Sequence, residues 1–183
     1  MSALKENVIR GSVYVLADNI DTDQILSAEY LKVNPSTPEG YAQLASLAMC
    51  GLPEGVLPFI DEEQGKAKYP IIVAGHNFGC GSSREHAVAA LGASGVQAVL
   101  AQSYARIFFR NCVSTGELLP VAAQERLCDI LSTGDSIEID IENQTITLLK
   151  SGEKYPTDPV GELANIVAAG GLFAYARATG RVK

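Results

Sequence analysis

Tryptophan is absent from this chain of 183 residues, methionine and histidine occur twice each, and the four cysteines stand far apart. Cys50, Cys80, Cys112 and Cys128 form no Cys-x-x-Cys pair, which excludes zinc ribbons, dithiol redox motifs and a locally bound cluster. Only His76 and His86 are left to add to them, so no recognised ligand spacing exists and no metal is expected to bind. Positive charge is also in short supply. Fourteen Lys plus Arg face 21 Asp plus Glu, a formal net charge of -7, which opposes binding to a phosphate backbone and removes nucleic acid as a partner. No apolar run approaches the roughly 20 residues that cross a bilayer, and the opening MSALKENVIR lacks the apolar stretch of a secretory signal. A membrane is therefore not expected either. Unpaired thiols suit a reducing, cytoplasmic setting, or the plastid stroma where a transit peptide has been removed.

Apolar residues are plentiful. They make up 47% of the chain against 19% charged residues, enough for a core in a single domain spanning 1–183. Segment 12–17, SVYVLA, reads as a strand that delivers the acidic loop DNIDTDQI at its carboxyl end. Residues 29–40, then an insertion over about 41–70 rich in proline and glycine, read as a mobile lobe with one short helix at 41–50. YPIIVAG at 69–75 predicts a buried strand, REHAVAALGASG a helix closed by Gly92 or Gly95, VQAVLA a strand, and YARIFFRNCV a second helix. Strand and helix alternating at this spacing imply parallel strands joined by crossovers. SIEIDIENQTITLLK alternates around Asn143-Gln144 as a β-hairpin would. The fold class is α/β with an appended antiparallel element.

The chemistry concentrates at Gly75-His76-Asn77-Phe78-Gly79-Cys80-Gly81-Ser82-Ser83-Arg84-Glu85-His86. Three glycines allow positive φ and close backbone approach, and the helix that follows turns its free amides and dipole toward the loop. With Arg84 this makes an anion site for a carboxylate or phosphate. It is no P-loop, because Gly-Lys-Ser/Thr is missing, and no dinucleotide fingerprint, because Arg84 stands where the third glycine belongs. Ser82-x-x-Glu85 matches a capping box, a reading in which Ser82 does no more than cap the helix. Cys80, six residues before His86 and close to a helix start, is an alternative nucleophile.

These stretches, DNIDTDQIL and AEYL within 18–31, NFGCGSSREHA (77–87), SYARIFFRN (103–111) and GLFAYARATG (171–180), together resemble the aconitase superfamily, and within it the short small subunits of isopropylmalate dehydratases. The resemblance implies a swivelling β/β/α domain with a mixed sheet and an antiparallel hairpin, closing over a [4Fe-4S] cluster held by a separate large subunit. It implies that this chain binds no cofactor itself and is inactive without that partner. It places Ser82 as the base that moves the α-proton of a malate derivative, Ser83, Arg84 and Gly81 against a substrate carboxylate, and Asp23 beside Arg84. Without the resemblance, Asp23 reads as a solvated loop carboxylate and Arg84 as a surface residue. In the third stretch, Ile107 and the aromatics of 104–109 read as core, and Arg106 and Arg110, one turn apart, as structural ion pairs.

Members of the superfamily differ in the group at the far end of the substrate, and the loop after Asp23 carries that choice. Here it contains Leu31, Lys32 and Val33, with no arginine from 29 to 40. Lack of an arginine fork for a distal carboxylate favours an apolar end, hence isopropylmalate and leucine synthesis. Lys32 keeps a homoaconitase-like acid open as the alternative. A stand-alone thiol enzyme using Cys80, or a non-catalytic anion-binding protein, are the readings from other classes.

Overall fold

The computed structural model describes residues 7–182. Its elements, in order, are β1 (Val8–Val15), α1 (Thr22–Ile25), a 3-10 turn at Ala28–Tyr30, α2 (Pro38–Ser46), the small hairpin β2 (Ile60–Asp61) and β3 (Lys66–Ala67), β4 (Ile71–Val73), α3 (Glu85–Ser94), β5 (Ala98–Ala101), α4 (Arg106–Thr115), β6 (Leu119–Ala122), a 3-10 turn at Leu127–Asp129, β7 (Ser136–Asp140), β8 (Thr145–Leu148), β9 (Lys154–Pro156), α5 (Glu162–Ala168) and α6 (Leu172–Ala178).

Seven strands form one mixed sheet in the order β6-β5-β4-β1-β7-β8-β9. The first four run parallel and the pairs from β1 to β9 run antiparallel. β1 belongs to both halves: Val13–Val15 pair with Ile71–Val73, while Val8–Ser12 pair with Ser136–Asp140. The antiparallel part is thus the continuation of the parallel one, where the sequence suggested an appendage. The strand also starts at Val8, four residues earlier than the apolar run at 12–17, because Arg10-Gly11 interrupts the apolar pattern that marks a strand. At Gly11 a Cβ would collide with the Pro70 ring, so this glycine marks a close approach of two chain segments.

Alternation along the strands sorts side chains onto two faces. Tyr14, Ile72 and Val99 join the buried residues of α1, α2, α3 and α4. Val13, Ile71, Val73, Leu100 and Val121 pack instead with Ile137, Ile139, Ile146 and Leu148 of the β7–β8 hairpin. Antiparallel strands, parallel strands and helices are therefore three layers, a β/β/α arrangement with a mixed sheet. The hairpin turn lies at Asn143-Gln144 as the pattern indicated, with Gln144 at φ 54 and Asp140 accepting from the Asn143 amide at 2.9 Å.

Three local readings need correction. α2 begins at Pro38, ahead of residue 41, because Thr37 caps it by accepting from the Gly40 amide at 3.1 Å and Pro38 occupies the first turn. Of the two glycines expected to close α3, Gly95 at φ 103 does so, while Gly92 lies inside the helix, where a Cβ would collide with Glu117. On α4 the buried stripe is Phe108 and Cys112, one turn apart; Ile107 sits about 100° round the helix and is 44% exposed, outside the core. Among the described residues Arg106 and Arg110 take part in no salt bridge, since the surrounding segment 103–116 carries no acid to pair with them.

All four parallel strands release their loops at one end of the sheet, which is where α/β folds gather binding groups. Asp18, just after β1, ties three of these loops together. Its Oδ1 accepts from the His76 amide at 2.7 Å and from Arg126 Nη1 at 2.6 Å, and Arg126 also reaches Asp129 at 2.9 Å. Gly75 leaves room for this carboxylate, since a Cβ there would overlap it. The Arg126 guanidinium, then the His76 amide, hold the Asp18 carboxyl below the usual carboxylate range.

Two outcomes follow from these contacts. Gly79 has φ 77 and lies against the Phe108 ring, where a Cβ would collide, so Gly79→Ala combines backbone strain with overpacking. Its stability in urea titration should fall by about 2–4 kcal/mol. Because the folded-state pKa of Asp18 is depressed, the stability it adds is present above the ordinary carboxylate pKa and is lost as pH falls toward the depressed value. Asp18→Asn should therefore lower the thermal midpoint at neutral pH and flatten its further decline below about pH 5; parallel midpoint curves for variant and parent would contradict the assignment.

Candidate functional site

The loop after β1 (residues 16–21) and the loop after β4 (residues 74–84) lie side by side and are laced together. The Asn19 amide donates to the His76 carbonyl at 2.9 Å, the Gly79 amide to Ile20 at 2.7 Å, and the Thr22 amide to Cys80 at 2.8 Å. Asn77 Nδ2 donates to Asn19 Oδ1 at 3.0 Å. Thr22 is 2% exposed, and its hydroxyl is satisfied by the Ser82 carbonyl at 3.1 Å. Asn77, Gly79 and Gly81 hold φ values of 58, 77 and 95, which lets the second loop follow the first at close range.

The lacing continues into α1. Asp21 is its N-cap, with Asp21 Oδ1 accepting from the Gln24 amide at 2.9 Å and Gln24 Oε1 accepting from the Asp21 amide at 3.0 Å. This reciprocal box fixes Asp23 in the first turn, where it meets Arg84: Nη1 lies 2.5 Å from Asp23 Oδ1 and 3.2 Å from the Leu26 carbonyl. The Arg84 side chain is 11% exposed and that of Asp23 61% exposed, so the cation is sunk and its partner faces outward. Hydrogen bonding to Arg84 holds the Asp23 carboxyl below its usual range.

Ser82 does not cap α3. The N-cap is Arg84, with extended backbone and no side-chain capping bond, so the Ser82-x-x-Glu85 spacing is not used as a box. The box that exists, Asp21 to Gln24, has the same spacing in the neighbouring loop, and the sequence reading passed over it. Ser82 and Ser83 are exposed, and among the described residues neither hydroxyl has a hydrogen-bond partner. Gly81 is exposed beside them. Two free hydroxyls, a mostly sunk guanidinium and the opening amides of α3 thus share one edge, an arrangement suited to an anionic group.

The loop that follows α1 divides differently. Leu31 and Lys32 are exposed, whereas Val33 is 9% exposed and packs into the helical core. His86 Nε2 lies 3.0 Å from the Val33 carbonyl, which ties this loop to α3. That contact occupies the histidine proposed as a partner of Cys80, and among the described residues the two share no hydrogen bond. Burial, then Asp21, pushes the Cys80 thiol up, the reverse of what a thiolate nucleophile needs. All four cysteines are free thiols, and among the described residues no three His, Cys, Asp or Glu side chains are placed to hold a metal ion. No described helix is long and apolar enough to cross a membrane.

Asp18, Thr22, Gln24 and Arg126 are the supporting residues that sequence reading missed. The Asp-x-x-Gln spacing was available for Gln24; Arg126 lies some hundred positions from Asp18 and carries no local signal. A cavity of about 660 Å³ lies elsewhere, lined by Tyr41, Val96, Gln97 and Glu117 where β5 and β6 begin, and none of the site residues borders it.

Comparison with known proteins identifies the family. The family described as Aconitase C-terminal domain matches residues 52–126, which include the serine loop. The chain is 47% identical over 181 residues to 3-isopropylmalate dehydratase small subunit 1 of Arabidopsis thaliana, covering 97% of this chain and 72% of that protein. It is 44% identical over 169 residues to the 3-isopropylmalate dehydratase small subunit of Aquifex aeolicus, covering 92% and 94%. A crystal structure of 3-isopropylmalate dehydratase from Methanocaldococcus jannaschii superposes with a TM-score of 0.77 at 37% identity, over 95% of this chain and 96% of that one. The chain belongs to the 3-isopropylmalate dehydratase small-subunit family, within the aconitase superfamily.

Proposed function

We propose that this chain is the small subunit of a 3-isopropylmalate dehydratase, a hydro-lyase that interconverts 2-isopropylmalate and 3-isopropylmalate through the dehydrated alkene in leucine synthesis. The observation that carries the reading is the edge where Ser82 and Ser83, free of capping, adjoin the Arg84–Asp23 pair. In this reading Ser82 Oγ takes the proton from the carbon beside a substrate carboxylate and returns it in the reverse direction. An ordinary serine hydroxyl is a poor base near neutral pH, so it depends on Arg84 and the α3 amides to favour its ionised form. Ser83, Arg84 and the Gly81 backbone bind the carboxylate, and Asp23 fixes the guanidinium. A [4Fe-4S] cluster carried by the large subunit would supply the Lewis acid for the departing hydroxyl. The malate derivative is thus held between two chains. Four free thiols fit a reducing compartment such as the cytoplasm.

Selectivity is assigned to the loop carrying Leu31 and Lys32. With Val33 turned into the core and no arginine between 29 and 40, the exposed Leu31 leaves an apolar surface for the isopropyl group. Lys32 is the one cation of that stretch and the observation favouring a second reading, a homoaconitase-like enzyme in which it pairs with a distal carboxylate. Reconstitution with a large subunit, followed by parallel assays on 2-isopropylmalate and homoaconitate, separates the two. Turnover of isopropylmalate should exceed that of homoaconitate by about tenfold or more, since a buried group left without its charged partner costs on the order of 1.5–3 kcal/mol. The opposite preference, removed by Lys32→Ala, would transfer the chain to the second reading. Activity of the lone chain that a thiol reagent blocks would replace both.

A further inference from the structure

Charge is distributed unevenly over this acidic chain. None of its 21 Asp and Glu residues falls in 103–116 or in 163–183, while Arg106, Arg110, Arg177 and Arg181 all do. Arg181 pairs with Glu162 at 3.5 Å; Arg106, Arg110 and Arg177 take part in no salt bridge among the described residues and are exposed. Apolar exposure falls in the same two segments: Ile107 at 44%, Leu172 at 44% and Phe173 at 71%, the largest value among the exposed large hydrophobics described. Scattered single apolar residues need no explanation, but three within two packed helices, interleaved with unpaired arginines, have the make-up of an interface core and rim.

The two helices adjoin. α6 starts where α4 ends, with Gly171 so close to Gly116 and the Ser114 carbonyl that a Cβ on either glycine would collide. At its other end α4 is fastened to the serine loop: the Phe78 amide donates to Ser103 at 3.0 Å, the Ala105 amide donates to the Phe78 carbonyl at 2.9 Å, and the Phe108 ring underlies Gly79. Arg106 is therefore one residue from the attachment point of the loop that bears Ser82. Any partner that reaches Ser82 over this end of the sheet meets the first turn of α4.

We propose that the outer face of α4 and α6, centred on Arg106, Ile107, Arg110 and Phe173, is the surface on which the large subunit docks. It would meet carboxylates set around an apolar recess that receives Phe173. The proposal rests on the small-subunit reading, and it adds where the partner sits and what its surface presents. Arginine contributes steering and orientation through its charge, and a desolvated aromatic slows dissociation. None of these four side chains belongs to the substrate site described above.

The test measures binding of the full chain to the large subunit of the same organism by biolayer interferometry at two salt concentrations, with thermal midpoints recorded for every variant. Parent binding should weaken as salt rises. Arg106→Glu combined with Arg110→Glu should raise Kd by about tenfold or more and remove most of that salt dependence. Phe173→Ser should raise Kd by about fivefold or more, chiefly through faster dissociation. Midpoints should stay within a few degrees of the parent, since all these residues are exposed. Lys150→Glu, in the exposed turn between β8 and β9, serves as the charge-reversal control and should bind as the parent does. Parent binding with both α4 and α6 variants equally tight overturns the docking surface alone. A parent that binds no large subunit overturns the small-subunit reading, and the docking surface with it.

Discussion

Two loops that leave neighbouring parallel strands, 16–21 and 74–84, run alongside each other and exchange backbone and side-chain hydrogen bonds along most of their length. Neither loop has regular structure to hold it, so each is the other's template. The glycines and Asn77 at positive φ supply the curvature that keeps donors and acceptors in register, and the buried Thr22 hydroxyl closes the lacing on the Ser82 carbonyl. Asp18 anchors one end through Arg126 and the His76 amide; the Asp21–Gln24 box anchors the other. What the site contains depends on this arrangement, because Ser82, Arg84 and Asp23 come from two segments about sixty residues apart in the chain.

The same lacing explains why the serines are available. A capping serine would have its hydroxyl committed to a helix amide, a contact that contributes roughly 0.5–2 kcal/mol. Here the extended backbone of Arg84 starts α3, and the polar ties of this loop run through backbone carbonyls and through the neighbouring loop. In the proposed reading, stability and chemistry are thus carried by different atoms of Ser82: its carbonyl holds the fold and its hydroxyl is left free. The position of Arg84, mostly sunk yet neutralised by an outward carboxylate, avoids the cost of an unpaired buried cation.

Much of the architecture was legible because it follows from periodicity. Apolar runs marked β4 and β5, alternation around Asn143-Gln144 marked β7 and β8, and Gly95 marked the end of α3. The three-layer arrangement and the roles offered for Ser82, Arg84 and Asp23 came from resemblance, since nothing local in DTDQ or GSSRE says that the two meet. Reading failed where a signal was ambiguous. Ser82-x-x-Glu85 and Asp21-x-x-Gln24 have the same spacing, and only the path of the backbone decides which becomes a box. Ile107 misled because a helix with large apolar side chains at three successive positions, Ile107, Phe108 and Phe109, has no unique apolar stripe until its neighbours are known. Arg126 was invisible, as a long-range ion pair leaves no trace in local pattern.

Replacement of Ser82 by alanine in the reconstituted two-subunit enzyme, with turnover of 2-isopropylmalate and the thermal midpoint of the chain measured together, tests the proposed division of labour most directly. Since the Ser82 carbonyl is retained and its hydroxyl bonds nothing in the fold, the midpoint should stay where it is. Turnover should fall by about 10²-fold to 10⁴-fold, the range for loss of a positioned proton-transferring group. A lowered midpoint with unchanged turnover would make Ser82 a structural residue and contradict the account.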